Sequence, residues 1–194
     1  MDYEAIYSKL QNPELKKQVE KVVDFHTYLS SGALIGVYMF NIAKKLLDFD
    51  TDNGDIIYAT SETYACLPDA FQALGKCTIG NGKLKVNNTG KMAITVNMKQ
   101  KEEGENTKGV RIILDPTKTI NYPRLHAWYM NLERIPHEEI IPILIDAGDS
   151  VYSYEFVDID VPTKSKKKVI LCEICKEPFV KKSKDNICVN CANG

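Results

Sequence analysis

The chain has 194 residues, 44% hydrophobic and 26% charged, enough for one domain of ordinary size plus a small module. A formal net charge of −1 excludes a whole-chain basic field directed at nucleic acid or an anionic membrane surface. The charge is uneven: residues 164–194 hold eight lysines and three acids, a balance of +5, which leaves −6 on residues 1–163.

The opening MDYEAIYSKL is acidic and amphipathic, unlike a signal peptide, and the longest apolar runs are far too short to span a bilayer. The expectation is a cytoplasmic protein. Residues 3–24 read as helical, with Leu15, Val19, Val22 and Val23 as the apolar stripe; Asn12 caps the second part and Pro13 opens it. This segment suits a packing helix or a dimerisation arm. Ser30 or Ser31 caps a helix from about Gly32 to Leu47, whose face is Leu34, Tyr38, Ile42 and Leu46, widened by Val37 and Phe40. Gly32 and Gly36 lie four apart on one side of it. Glycine weakens a helix, so this spacing predicts close approach of another backbone or a ligand.

Residues 50–55 form a turn, and Ile56–Thr63 reads as a strand delivering Cys66. Pro68 suits the first position of a helix that closes around Gly75, and Asp69 sits in its first turn, at the positive end of the helix dipole. Strands follow at Lys83–Val86, Met92–Lys99 and Val110–Leu114, with turns at 87–90 and 102–106, as in an antiparallel meander. Asn121 and Pro123 begin a helix with the face Tyr122, Leu125, Trp128, Tyr129 and Leu132. Another starts at Pro136, and Pro142 should break or kink it. Along Val151–Val161, Tyr152, Tyr154 and Phe156 share one face and Val157, Ile159 and Val161 the other, which predicts a bulge or a strand covered on both sides. The segment TKSKKK, 163–168, is a basic linker. The fold class is α+β, an antiparallel sheet core packed with helices over 1–163, followed by a small zinc-ribbon or treble-clef module over 164–194.

Cys172, Cys175, Cys188 and Cys191 carry the strongest signal. Two Cys-x-x-Cys pairs, twelve residues apart, each aim two sulfurs at one ion, and four thiolates close a tetrahedron. A module this small lacks a sufficient hydrophobic core, so zinc must supply much of its folding energy. A closed site leaves no position for substrate, which makes this zinc structural. Its lysines could contact nucleic acid, but Phe179 alone is an aromatic among them, and a solvated basic face is the simpler account.

Of the other titratable groups, Cys66 at a helix start favours the thiolate, while nearby Asp69 opposes it. Cys77 suits core packing, and His26, just before a helix cap, occupies a plausible ligand position. His126 and His137 read as surface or satisfied packing residues, and Glu62 as a carboxylate that could serve as a base. No nucleophile, base and orienting group follow from spacing alone.

These residues resemble a known family. Phe25-His26-Thr27-Tyr28-Leu29-Ser30-Ser31-Gly32 is similar to the F-H-G-H-x-C-P-G signature of the FmdE family, the type associated with formylmethanofuran dehydrogenase. Glu62-Thr63 with Cys66, Asp69-Ala70-Phe71-Gln72, and Gly75-Lys76-Cys77-Thr78 with Gly80 and Gly82 resemble its central block. Gly90-Lys91-Met92-Ala93 and Lys108-Gly109-Val110-Arg111-Ile112 resemble two strand motifs that follow it. The resemblance implies an α+β core, a C-terminal zinc module, a dimer, and a second metal in a core pocket that here comprises His26, Tyr28, Ser30, Cys66, Asp69 and Cys77. Tyr28 stands where the second histidine would be, Ser30 where the cysteine would be, and Ser31 where the proline would be. Tyrosine and serine hydroxyls rarely ionise at neutral pH and are poor zinc ligands. Three readings stay open: a binding or accessory protein near one-carbon or metal-cofactor metabolism, serving an enzyme-complex partner; an oxidoreductase-associated enzyme using Cys66 and His26; and a nucleic-acid-binding zinc module.

Overall fold

A computed structural model describes residues 3–99, 107–159, 167–181 and 184–193. It divides into two compact units, Met1–Val161 and Pro162–Gly194. The expected turn at 102–106 and most of the 163–168 linker lie outside the described residues.

In the first unit, α1 (Tyr3–Lys9) and α2 (Pro13–His26) are separated at Asn12, whose side-chain oxygen accepts from the N–H groups of Glu14 and Leu15 and so caps α2. Ser30 caps α3 (Ser31–Leu47) in the same way through Ala33 N–H. The expected apolar stripe on α3 proves too narrow. Every residue from Ser31 to Phe40 is buried, so this half of the helix is enclosed on all sides. It is the central element of the unit.

Strand β1 (Ile57–Ser61) leads into α4 (Leu67–Gly75), and the chain returns as β2 (Leu84–Val86), parallel to β1. This corrects the expectation of an all-antiparallel meander. A helix between two strands carries the chain back to the same end of the sheet, which is the geometry of a parallel pair. β3 (Ala93–Met98), β4 (Thr107–Leu114) and β5 (Tyr152–Ile159) are joined by antiparallel pairing, giving the order β2-β1-β3-β4-β5. The β4–β5 register runs without interruption from Thr107↔Ile159 to Leu114↔Tyr152, so the expected bulge is absent. Tyr154 and Phe156 are instead half exposed beside buried Tyr152 on an edge strand.

Between β4 and β5 come α5 (Pro116–Thr119), which the sequence pattern did not indicate, α6 (Pro123–Tyr129) and α7 (His137–Ala147). Helix α7 runs through Pro142, contrary to the expected break. The missing N–H leaves only the Glu138 carbonyl without its helical donor. Glu138 is exposed in the first turn, where water can serve that carbonyl, while Ile140, Ile141 and Leu144 hold the helix to the core.

One sheet face, with Ile57 and Ala59, Ile94 and Val96, and Val110 and Ile112 aligned across strands, belongs to the buried core. The opposite face carries the registered row Thr60, Thr95, Arg111 and Glu155. Among the described residues, no helix is long and apolar enough to cross a membrane.

The second unit is a hairpin of β6 (Val169–Leu171) and β7 (Pro178–Val180), followed by α8 (Val189–Asn193).

Candidate functional site

The strongest constellation lies in the second unit. Cys172 follows β6, and the chain turns back at once. The Cys172 N–H donates to the Glu177 carbonyl at 2.9 Å, Lys176 N–H donates to the Cys172 carbonyl at 3.0 Å, and Lys176 takes a left-handed φ of 62° to make the turn. Cys188 and Cys191 flank the start of α8, where Ala192 N–H donates to the Cys188 carbonyl. Asn186 joins the two halves: its carbonyl accepts from Glu173 N–H, and its side-chain amide donates to the Glu173 carboxylate, each at 3.0 Å.

All four sulfurs lie within 4.8 Å of one another, and Cys175 Sγ is 3.9 Å from Cys188 Sγ. Zinc–sulfur bonds of about 2.3 Å in a tetrahedron place sulfurs about 3.8 Å apart, so the donor set fits one zinc ion. Backbone N–H groups, foremost that of Cys188 at 3.3 Å from the sulfur, lower the Cys172 thiol to about 6. Contact with the Cys188 thiol, together with burial, pushes Cys191 up to about 12. Four crowded thiols thus resist full ionisation until a cation joins them. Cys172 is the one fully buried side chain among the described residues of this unit; Val169, Leu171, Ile174 and Val189 are each more than half exposed. With so little apolar burial, the metal has to hold the hairpin to α8.

The core site forms where three helix ends meet. Helix α2 ends at His26, Thr27 turns the chain with a left-handed φ of 74°, and Ser30 starts α3. Helix α4 begins beside them, because the glycines of α3 admit it. A Cβ on Gly36 would stand 2.4 Å from the Leu67 carbonyl oxygen, and one on Gly32 would stand 3.3 Å from Cys66 Cβ. The close approach predicted from the glycine spacing is therefore that of the α4 backbone.

This crossing sets His26 Nδ1 2.6 Å from Asp69 Oδ2, with side-chain exposures of 13% and 27%. Gln72 donates to the other Asp69 oxygen at 2.9 Å. His26 Nε2 is buried with no hydrogen-bond partner. The half-exposed Tyr28 ring lies 4.9 Å from the His26 ring and 6.3 Å from that of His137. The N–H and hydroxyl of Ser31 lie 3.2 and 2.9 Å from His137 Nδ1, binding α7 to the start of α3.

Of the residues singled out in the sequence, His26, Tyr28 and Asp69 are brought together, and Cys66 lies beside Gly32 at the head of α4. Ser30 spends its hydroxyl as the α3 cap. Cys77 lies past the opposite end of α4, fully buried, its thiol donating to the carbonyls of Ile57 and Gly75; burial pushes it up to about 11. Glu62 is locked by Arg111, with Nε at 2.6 Å and the second bond at 3.1 Å. That guanidinium holds its carboxyl below the usual range, which removes it as a base at neutral pH. His126 is satisfied by Thr119 at 2.9 Å. The contribution of His137 had no sequence signal, since its partner Ser31 lies 106 positions away.

The metal that the resemblance implies for the core is not matched by a sufficient donor set. Tyr28 and Ser30 are weak donors, Ser30 is already engaged, and both Asp69 oxygens are taken. Among the described residues, the four cysteines are the one group that brings three or more His, Cys, Asp or Glu donors together.

Comparison with known proteins agrees with this architecture. The family model FmdE, "Molybdenum formylmethanofuran dehydrogenase operon", matches residues 25–159. An FmdE-like protein of tungsten formylmethanofuran dehydrogenase from Syntrophus aciditrophicus, of known crystal structure, is 31% identical, with a TM-score of 0.74 over 92% of this chain and 91% of that one. A probable S-adenosyl-L-methionine-binding protein from Archaeoglobus fulgidus is 26% identical over 207 residues, covering 93% of this chain and 54% of the relative. The chain thus spans about half the length of that curated relative. The matched family segment takes in the whole sheet, the α3–α4 crossing and both walls of the core site, and the chain belongs to the FmdE family.

Proposed function

We propose that this FmdE-family protein is a zinc-binding accessory protein. Its C-terminal quartet holds one structural zinc, and its core site binds a small ligand in one-carbon or metal-cofactor metabolism. The observation that carries the reading is the convergence of the four cysteine sulfurs within 4.8 Å in a unit with almost no buried side chains. The closed donor set leaves no position for substrate, which assigns the zinc to folding. The reading includes a homodimer and an enzyme-complex partner in the cytoplasm. Cobalt substitution tests the zinc: the wild-type chain should show intense thiolate-to-cobalt absorption from one tetrahedral ion, and Cys191→Ser should weaken it. A weak octahedral spectrum would refute the assignment.

A second reading gives the core unit S-adenosyl-L-methionine as its ligand, and it is favoured by the Archaeoglobus relative aligning over 93% of this chain. Saturable binding in equilibrium dialysis would establish it. Its absence would assign that ligand to the half of the relative for which this chain has no counterpart.

A further inference from the structure

The core site keeps the parts that orient a histidine ring and lacks the donors that would complete a metal sphere. Asp69, ionised at neutral pH, can only accept, so the His26 nitrogen 2.6 Å away carries the ring proton. The neutral ring then has its lone pair on Nε2. Gln72 donates to the second Asp69 oxygen, which fixes the carboxylate and through it the ring. The nitrogen so aimed is buried and has no partner, and a buried polar atom is ordinarily satisfied. A zinc would need at least two more good ligands beside it, and Tyr28 and Ser30 do not supply them.

We infer that the core is a metal-free ligand site in which His26 Nε2, oriented by Asp69 and Gln72, accepts a hydrogen bond from an O–H or N–H group of a small molecule. The Tyr28 ring, half exposed and packed beside His26, forms the outer wall against which the rest of that molecule lies. His26 and Tyr28 are the binding residues. Asp69 and Gln72 are positioning residues that act through the ring. This inference deepens the ligand-binding part of the proposed function and is independent of the zinc quartet.

The test uses the zinc-loaded full chain labelled with nitrogen-15 histidine. Long-range proton–nitrogen spectra should show His26 protonated at Nδ1 with a bare Nε2, and excess zinc should leave Nε2 unshifted. Asp69→Asn should abolish the preference for that tautomer while the backbone amide spectrum stays native-like, an effect a merely structural contact would not produce. Ethanolamine, as a donor probe, should shift Nε2, and acetate should not. The inference is overturned if Nε2 carries the proton, if excess zinc shifts it, if Asp69→Asn keeps the preference, or if acetate shifts it and ethanolamine does not. The quartet's cobalt spectrum is read separately, so failure here leaves the zinc assignment standing.

Discussion

The α3–α4 crossing places Cys66 against Gly32 and Asp69 against His26, so Gly36→Ala is the perturbation that most directly probes how the core site is built. The new methyl would lie 2.4 Å from the Leu67 carbonyl oxygen and 2.8 Å from Ala70 Cβ, about 1 Å inside ordinary contact. Its nearest obstacle is backbone, which cannot rotate away, so the two helices must separate. Overpacking of this kind costs about 3 kcal/mol at the upper end of the usual range. Alanine returns about 1 kcal/mol of helix propensity over glycine. The net loss is about 2 kcal/mol, which lowers Tm by about 4–8 °C in a chain of this size. Gly32→Ala is the control. Its methyl would meet Cys66 Cβ at 3.3 Å, a shortfall of only a few tenths of an ångström, and stability should stay within about 1 kcal/mol of wild type. Urea unfolding followed by far-ultraviolet circular dichroism measures both. A Gly36→Ala protein as stable as wild type would refute the claim that backbone contact at this crossing sets the site.

Glu62 and Arg111 give a pH test. The folded-state carboxyl of Glu62 is lowered below its unfolded value of about 4.5 by Arg111, so its stabilisation is full above that pH and is lost as pH falls through the folded value. Glu62→Gln should therefore flatten the acid limb of the stability profile. It should also cost about 1–3 kcal/mol at pH 7, because Arg111 loses its main partner. Unchanged curvature below about pH 4.5 would contradict this. Cys77, buried and raised to about 11, should resist iodoacetamide at about pH 8 in the native zinc-loaded protein, whereas partly exposed Cys66 should react; peptide mass mapping reads both, and equal labelling would overturn the placement.

The sequence was most legible where local rules act alone. Asn12 and Ser30 cap their helices as expected because capping is settled within three residues. The cysteine spacing located the quartet because each pair needs only one tight turn. The Gly32–Gly36 spacing announced a close neighbour but could not say which, since α4 arrives from far downstream. Long-range pairings left no trace: the parallel β1–β2 pair, the Ser31–His137 contact and the Glu62–Arg111 lock all depend on how the sheet and its helices are assembled. Pro142 illustrates an override, in which burial of Ile140, Ile141 and Leu144 outweighs one missing hydrogen bond. The departures Tyr28 and Ser30 were visible from the start. Their consequence became clear only once Ser30 was seen to serve α3 as a cap and Asp69 to hold His26.

The central claim is that this chain binds its metal in the cysteine quartet and that the core site works without one. Elemental mass spectrometry of the purified full-length protein tests it most directly. The account predicts one zinc per chain, lost in Cys172→Ser and retained in His26→Ala. Two metals per chain, with the second lost in His26→Ala, or no metal at all in the wild type, would contradict it.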